Sequence, residues 1–196
     1  MSVARIAGVL LAGGRGERFG GGKLLAPVQR TEGDVASGTP VGVAACRHLA
    51  AALTRTIAVV RPGDPALAAA LAAAGARVVV CARATEGMGA SLACGVTATA
   101  DADGWIVALA DMPWVQTATI AAVAAALAAG ADIVAPRHDG QRGHPVGFAR
   151  RHGPGLAALA GDEGARSVVA AHAGGVQVID VGDAGVLRDV DRLSDL

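Results

Sequence analysis

Short aliphatic runs alternate with alanine-rich, helix-like stretches along the whole chain, and this alternation restricts the fold more than any other feature of the sequence. Ile6–Leu11 is a mostly aliphatic run that stops at a glycine-rich loop, the pattern of a strand buried in a parallel sheet. Leu24–Gln29 reads as a short extended piece, and the polar, turn-rich residues 30–38 read as a surface loop. The pattern then predicts a helix from Pro40 to Leu53, with its proline near the first turn. After it come a strand at 56–60, a helix at 64–74, a strand at 77–81, a helix at 88–99 and a strand at 105–110. The second half predicts a helix at 117–129, strands at 132–136 and 144–148, a helix at 164–172, a strand at 176–181 and a last turn from 193. Repeated β-α-β units imply an α/β fold, with a mainly parallel sheet and helices on both faces. Ligands of such sheets bind beyond the carboxyl ends of the strands, which directs attention to the loops after Leu11, Cys81 and Ala110.

Composition narrows the classes further. The 196 residues are enough for one domain with a buried core, and a 53% hydrophobic fraction excludes disorder. Much of that fraction is alanine, so the helices should be slim and closely packed. Seventeen basic and 17 acidic residues balance, leaving no global field to attract nucleic acid or an anionic membrane. Any phosphate binding must come from a local arrangement. Cys46, Cys81 and Cys94 form no CxxC or Cys/His ligand spacing and are expected as small buried thiols in a reducing cytosol. The apolar stretch Ile6 to Ala12 runs straight into GGRGERFGGGK rather than a cleavage site, which argues against a secretory signal. The run Ile120 to Ala131 is too short for a membrane span of about 20 residues. A single cytoplasmic domain over 1–196 is the expectation.

The segment Leu11-Ala-Gly-Gly-Arg-Gly-Glu-Arg-Phe-Gly-Gly-Gly-Lys23 carries the most chemistry. Its six glycines let the backbone turn tightly and bring N–H groups to phosphate oxygens, and Arg15, Arg18 and Lys23 add cations to the same loop. A triphosphate needs that combination of amide donors and charge. Two other phosphate loops fit less well. A P-loop would need a hydroxyl residue after Gly22-Lys23, where Leu24 stands, and its first glycine would fall on Glu17. From Gly14 a dinucleotide GxGxxG reads GRGERF, with Gly20 one place late and no ribose-binding acid at the end of a second strand.

Asp111 closes an aliphatic strand and precedes Met112-Pro113. A carboxylate at that end of a parallel strand faces the ligand crevice, where it can hold Mg²⁺ against phosphate oxygens. Thr117 is the more natural cap for the next helix. Gly87-Met88-Gly89-Ala90-Ser91 combines glycines with a helix start, so its N–H groups and the Ser91 hydroxyl could meet a base or ribose.

With these residues in view, the chain resembles the molybdenum cofactor nucleotidyltransferases, the MobA/MocA-like group with its NTP transferase domain. The likeness rests on the loop from Leu11 to Leu25 and on GMGASLACG (87–95), LADMP (109–113), RGHPVGF (142–148), GDEGAR (161–166) and DVDRLSDL (189–196), which follow in order. It implies a Rossmann-like three-layer nucleotidyltransferase fold, Mg²⁺ as cofactor, and transfer of CMP from CTP to a molybdopterin-type acceptor. RGHPVGF and GDEGAR resemble the cytidylyltransferase branch. Gly13, in Leu11-Ala12-Gly13-Gly14, matches instead the guanine-using branch, so GTP stays open. By the same resemblance, Leu11, Ala12, Gly13, Gly14, Gly16, Gly87, Ser91 and His144 bind nucleotide or position it. Lys23, Arg15, Arg18 and Asp111 serve catalysis, and Asp191 is the second metal ligand, with Asp189 as the alternative. Asp162 could pair with Arg166 or touch the acceptor. A non-catalytic nucleotide- or cofactor-binding protein of the same fold is the competing reading.

Overall fold

Strands of valine, isoleucine, leucine and alanine form the centre of one sheet. In the computed structural model, which describes residues 4–14, 16 and 19–196, β1 (Ile6–Leu11) pairs in parallel with β2 (Thr56–Val60) and with β4 (Gly104–Leu109). β2 pairs in parallel with β3 (Arg77–Val80). β1 and β2 are buried along their whole length, as sheet-centre strands covered on both faces must be.

Beyond β4 the direction changes. β7 (Val146–Ala149) runs antiparallel between β4 and β5 (Ile133–His138), and β5 also pairs in parallel with β8 (Val176–Asp180) and antiparallel with the two-residue β6 (Gln141–Arg142). The expected sheet was mainly parallel, and it is, with β6 and β7 running against it. The physical reason is length: the turn at Asp139-Gly140 is too short for the crossover that a parallel return requires.

Side chains alternate between the two faces. Leu10, Ala58, Val60 and Ile106 pack toward α1 (Val41–Ala52), α2 (Pro65–Ala73) and α4 (Thr117–Ala128). Val9, Leu11, Ile57 and Val59 pack toward α3 (Met88–Thr97) and α5 (Gly153–Ala157), with Val168 and Val169 of α6 (Arg166–Ala171) at the margin. The three-layer arrangement is therefore the one the sequence implies. The helices are slim, as expected: a Cβ on Gly95 of α3 would stand 2.5 Å from Val9 Cγ1, so the helix lies close on β1.

Helix ends use more than local signals. Asp64 caps α2 by accepting from the Leu67 N–H, with Pro65 in the first turn. Thr117 does not cap α4. Gln116 takes that position, and its N–H donates to the buried carboxylate of Asp183, 67 residues away. The segment expected as extended at 24–29 begins instead as a 3-10 turn, Lys23–Leu25.

The cysteines depart from expectation. Cys81, just past β3, and Cys94, on α3, are joined in a disulfide, and Cys46 remains as a buried free thiol. Their separation of 13 residues gave no sign of this in the sequence. The crossover from β3 into α3 brings the two Cα atoms to 6.0 Å, within bonding range. Burial pushes the Cys46 thiol up to about 11. Among the described residues no helix is long and apolar enough to cross a membrane.

Candidate active site

β1 lies where the strand order turns, with β2 on one side and β4 on the other. Leu11 stands beside Leu109 at their carboxyl ends, the Ala12 N–H donates to the Val59 carbonyl, and the Ala110 N–H donates to the Leu11 carbonyl. The loops after β1 and β4 therefore open at one point, the crevice in which such sheets hold ligands. A cavity of about 580 Å³ occupies it, of the size that takes a nucleotide-sized ligand.

The glycine-rich loop forms one wall. Leu11, Gly13, Gly14, Gly16 and Lys23 line the cavity, whereas Ala12 is buried beneath it. Gly16 has φ 61°, and its carbonyl accepts from the N–H groups of Phe19 and Gly21, which folds the loop back on itself. Arg15 and Arg18 lie outside the described residues.

The opposite wall is the start of α3. Gly87 and Ser91 line the cavity. Gly87 has φ 132°, and a Cβ there would fall 2.2 Å from an Asp162 carboxylate oxygen, so the residue is glycine for both reasons. The segment around Gly161 packs against this turn, and the Gly89 N–H donates to the Gly161 carbonyl at 2.7 Å. That N–H is thus already used. The Ser91 hydroxyl donates back to the Gly87 carbonyl at 3.3 Å, which leaves its lone pairs as acceptors toward the cavity.

The acidic floor comes from two distant segments. The Asp111 carbonyl accepts from the Val190 N–H at 2.9 Å, which clamps the last residues of the chain onto the loop after β4. Asp183 secures the same clamp: its carboxylate accepts from Gln116 N–H, Gly185 N–H and the Thr119 hydroxyl. Asp111, Asp189 and Asp191 consequently converge, each offering an oxygen within 4.8 Å of the others. Carboxylates from two loops, Asp111 and Asp191 half-buried and Asp189 exposed, are the hard oxygen donors that a divalent cation takes, so the residues present fit such an ion. The Lys23 ammonium lies among them, 2.8 Å from Asp111 Oδ2 and 3.5 Å from Asp191 Oδ1.

His144 does not line the cavity. It sits behind the acidic floor, its N–H bonded to the Val186 carbonyl and its Nδ1 buried without a partner. Burial pulls its imidazole below the ordinary histidine range, although Asp111, the Val107 carbonyl and Asp189 act in the other direction. Arg142, on β6, is exposed and likewise absent from the cavity lining. Several lining residues escaped the sequence reading. Arg61 and Asp64 follow β2, where the strand-end rule also applied, and Phe19, Thr85 and Met88 complete the walls. Asp162 borders the cavity beside Gly87.

A three-layer α/β sheet with a glycine-rich loop and an acidic cluster at the carboxyl ends of β1 and β4 is the architecture of the nucleotidyltransferases. The chain belongs to the MobA-like NTP transferase domain family, whose model matches residues 8–176. It is 30% identical to Rv0371c from Mycobacterium tuberculosis H37Rv, with 98% of this chain and 96% of that one covered and a TM-score of 0.79. A complex of Rv0371c with manganese is similar at 29% identity, the same coverage and a TM-score of 0.77. Molybdopterin-guanine dinucleotide biosynthesis protein A from Archaeoglobus fulgidus shares the fold at 16% identity, with 96% and 94% of the chains covered and a TM-score of 0.64. No curated protein matches the chain.

Proposed function

We propose that the protein is a cytoplasmic, Mg²⁺-dependent nucleotidyltransferase that moves CMP from CTP onto the phosphate of a molybdopterin-type acceptor and releases pyrophosphate. The observation that carries this reading is the convergence of Lys23, Asp111 and Asp191, with Asp189 beside them, in a cavity walled by the glycine-rich loop. In this reading the backbone of Gly13, Gly14 and Gly16 cradles the triphosphate, and Lys23, Arg15 and Arg18 neutralise it. Gly87 and Ser91 bound the base and ribose. Asp111 and Asp191, with Asp189 alongside, would hold a divalent cation, which would supply charge stabilisation for the triphosphate and the leaving pyrophosphate.

The chemistry is an in-line displacement. An acceptor phosphate oxygen forms a bond to the α-phosphorus while the bond to the α,β-bridging oxygen breaks, and pyrophosphate departs with that electron pair. The nucleophile is already anionic, so no general base is required, and His144 is not asked to act as one. Orientation by the two walls and charge neutralisation by the loop cations supply the acceleration.

Use of GTP is the second reading, favoured by Gly13, the residue that matches the guanine-using branch: a Cβ there would lie 3.0 Å from Ser91 Oγ, so glycine lets the loop pack against Ser91 without displacing that wall. The test is pyrophosphate release with each of the four nucleoside triphosphates, Mg²⁺ and a molybdopterin-type acceptor. Release with CTP supports the first reading, release with GTP alone replaces it with the second, and nucleotide binding without release supports a non-catalytic carrier.

A further inference from the structure

Resting on the metal reading just given, we infer that the Lys23 ammonium and the divalent cation are alternative counter-ions of the same carboxylates, so that nucleotide and metal must enter the site together. The ammonium bridges Asp111 Oδ2 at 2.8 Å and Asp191 Oδ1 at 3.5 Å. Both residues belong to the acidic trio whose oxygens lie within 4.8 Å of one another. A magnesium ion takes carboxylate oxygens at about 2.0–2.1 Å, so an ion bridging this pair would share its space with the ammonium nitrogen. Two like charges cannot hold one pair of half-buried oxygens, because their repulsion is only weakly screened there.

The lysine has somewhere else to go. Its Cβ lies 3.2 Å from the point where a Cβ of Gly16 would stand, so the root of the side chain rests against the phosphate-facing loop. Rotation of a flexible four-carbon stem about that root carries the ammonium from the carboxylates toward the loop's phosphate position. A bound triphosphate provides a stronger anion than two carboxylates, draws Lys23 across and takes its ammonium off the oxygens of Asp111 and Asp191 that face the metal position. Lys23 is then a positioning residue for the metal as well as a phosphate contact. Each ligand raises the affinity of the other, as linkage requires.

The test measures Mn²⁺ binding by the paramagnetic resonance of the free ion, without any turnover. It compares wild type, Lys23→Met and Lys23→Arg, alone and with the α,β-methylene analogue of CTP or of GTP, with circular dichroism as the folding control. Without nucleotide, Lys23→Met should bind Mn²⁺ at least about tenfold more tightly than wild type, which corresponds to about 1.4 kcal/mol. Lys23→Arg keeps the charge and should remain as weak as wild type. The analogue should tighten Mn²⁺ strongly in wild type and much less in Lys23→Met. If analogue-bound wild type takes Mn²⁺ but nucleotide-free Lys23→Met binds it no better than nucleotide-free wild type, the exchange is overturned while the metal reading stands. If wild type takes no Mn²⁺ even with either analogue, the metal reading falls and the exchange with it.

Discussion

Gly13 is one methyl group away from a different cavity wall. A Cβ there would lie 3.0 Å from Ser91 Oγ and 3.2 Å from Ala84 Cβ, contacts that require both neighbours to give by a few tenths of an ångström. Gly13→Ala should therefore keep the fold and narrow the base side, raising CTP binding relative to GTP. Thermal-shift titrations with the two nucleotides check this, and an unchanged ratio would remove Gly13 from base choice. The loop residues around it were legible because glycine and cation content after a buried strand has few other uses. Arg61 and Asp64 were not, because an arginine and a capping aspartate after β2 look like any loop on a surface. The sequence leaves His144 as a positioning or a structural residue, because it cannot tell which side of Asp111 an imidazole occupies; the bond of its backbone N–H to the Val186 carbonyl holds it outside the cavity lining.

Among the elements, the clamp between the loop after β4 and the chain's last segment shapes the acidic floor. Asp183 is 2% exposed and satisfies three donors: the N–H of Gln116, which caps α4, the Thr119 hydroxyl and the Gly185 N–H. Asp183→Ala strands buried donors and should destabilise the fold by about 3 kcal/mol, read as a lowered urea midpoint. It should also weaken Mn²⁺ binding, because Asp189 and Asp191 would lose their tether. Nothing in the sequence pointed to Asp183, since two of its three partners lie 64 and 67 residues away. The same blindness hid the pairing of Cys81 with Cys94. Alkylation with iodoacetamide tests it: the native protein should take no label, because Cys46 is a buried thiol pushed up to about 11 and the other two are joined. Denaturation without reductant should expose one site and denaturation with reductant three. Three sites without reductant would contradict the disulfide. Element type was readable for the main strands and helices, because aliphatic runs and alanine-rich stretches have different periods, but not for the 3-10 turn at Lys23–Leu25 or the short α5. Direction was not: the strand at 146–149 carries no mark of running antiparallel, and only the short turn before it does.

For the whole molecule, the carboxyl end of one sheet serves two tasks. Parallel strands deliver the phosphate loop and Asp111 to a common crevice, and the last residues of the chain return to it with two more carboxylates. The three-layer architecture followed from the order of segments alone, and blocks far apart in the chain meet in space: 87–89 packs on 160–162, and 189–191 on Asp111. Such convergence is what a transferase needs and what a mere carrier does not, so the central claim is that charge at Asp111 supports nucleotidyl transfer. The most direct measurement is pyrophosphate production by wild type and Asp111→Asn across a Mg²⁺ titration, with circular dichroism confirming the fold. Asparagine keeps the size of the side chain and removes its charge, and several kcal/mol of lost stabilisation amount to a rate reduction of roughly 10²–10⁴. The account predicts that loss, with the residual rate rising only at much higher Mg²⁺. A near-normal rate with unchanged Mg²⁺ dependence would contradict it.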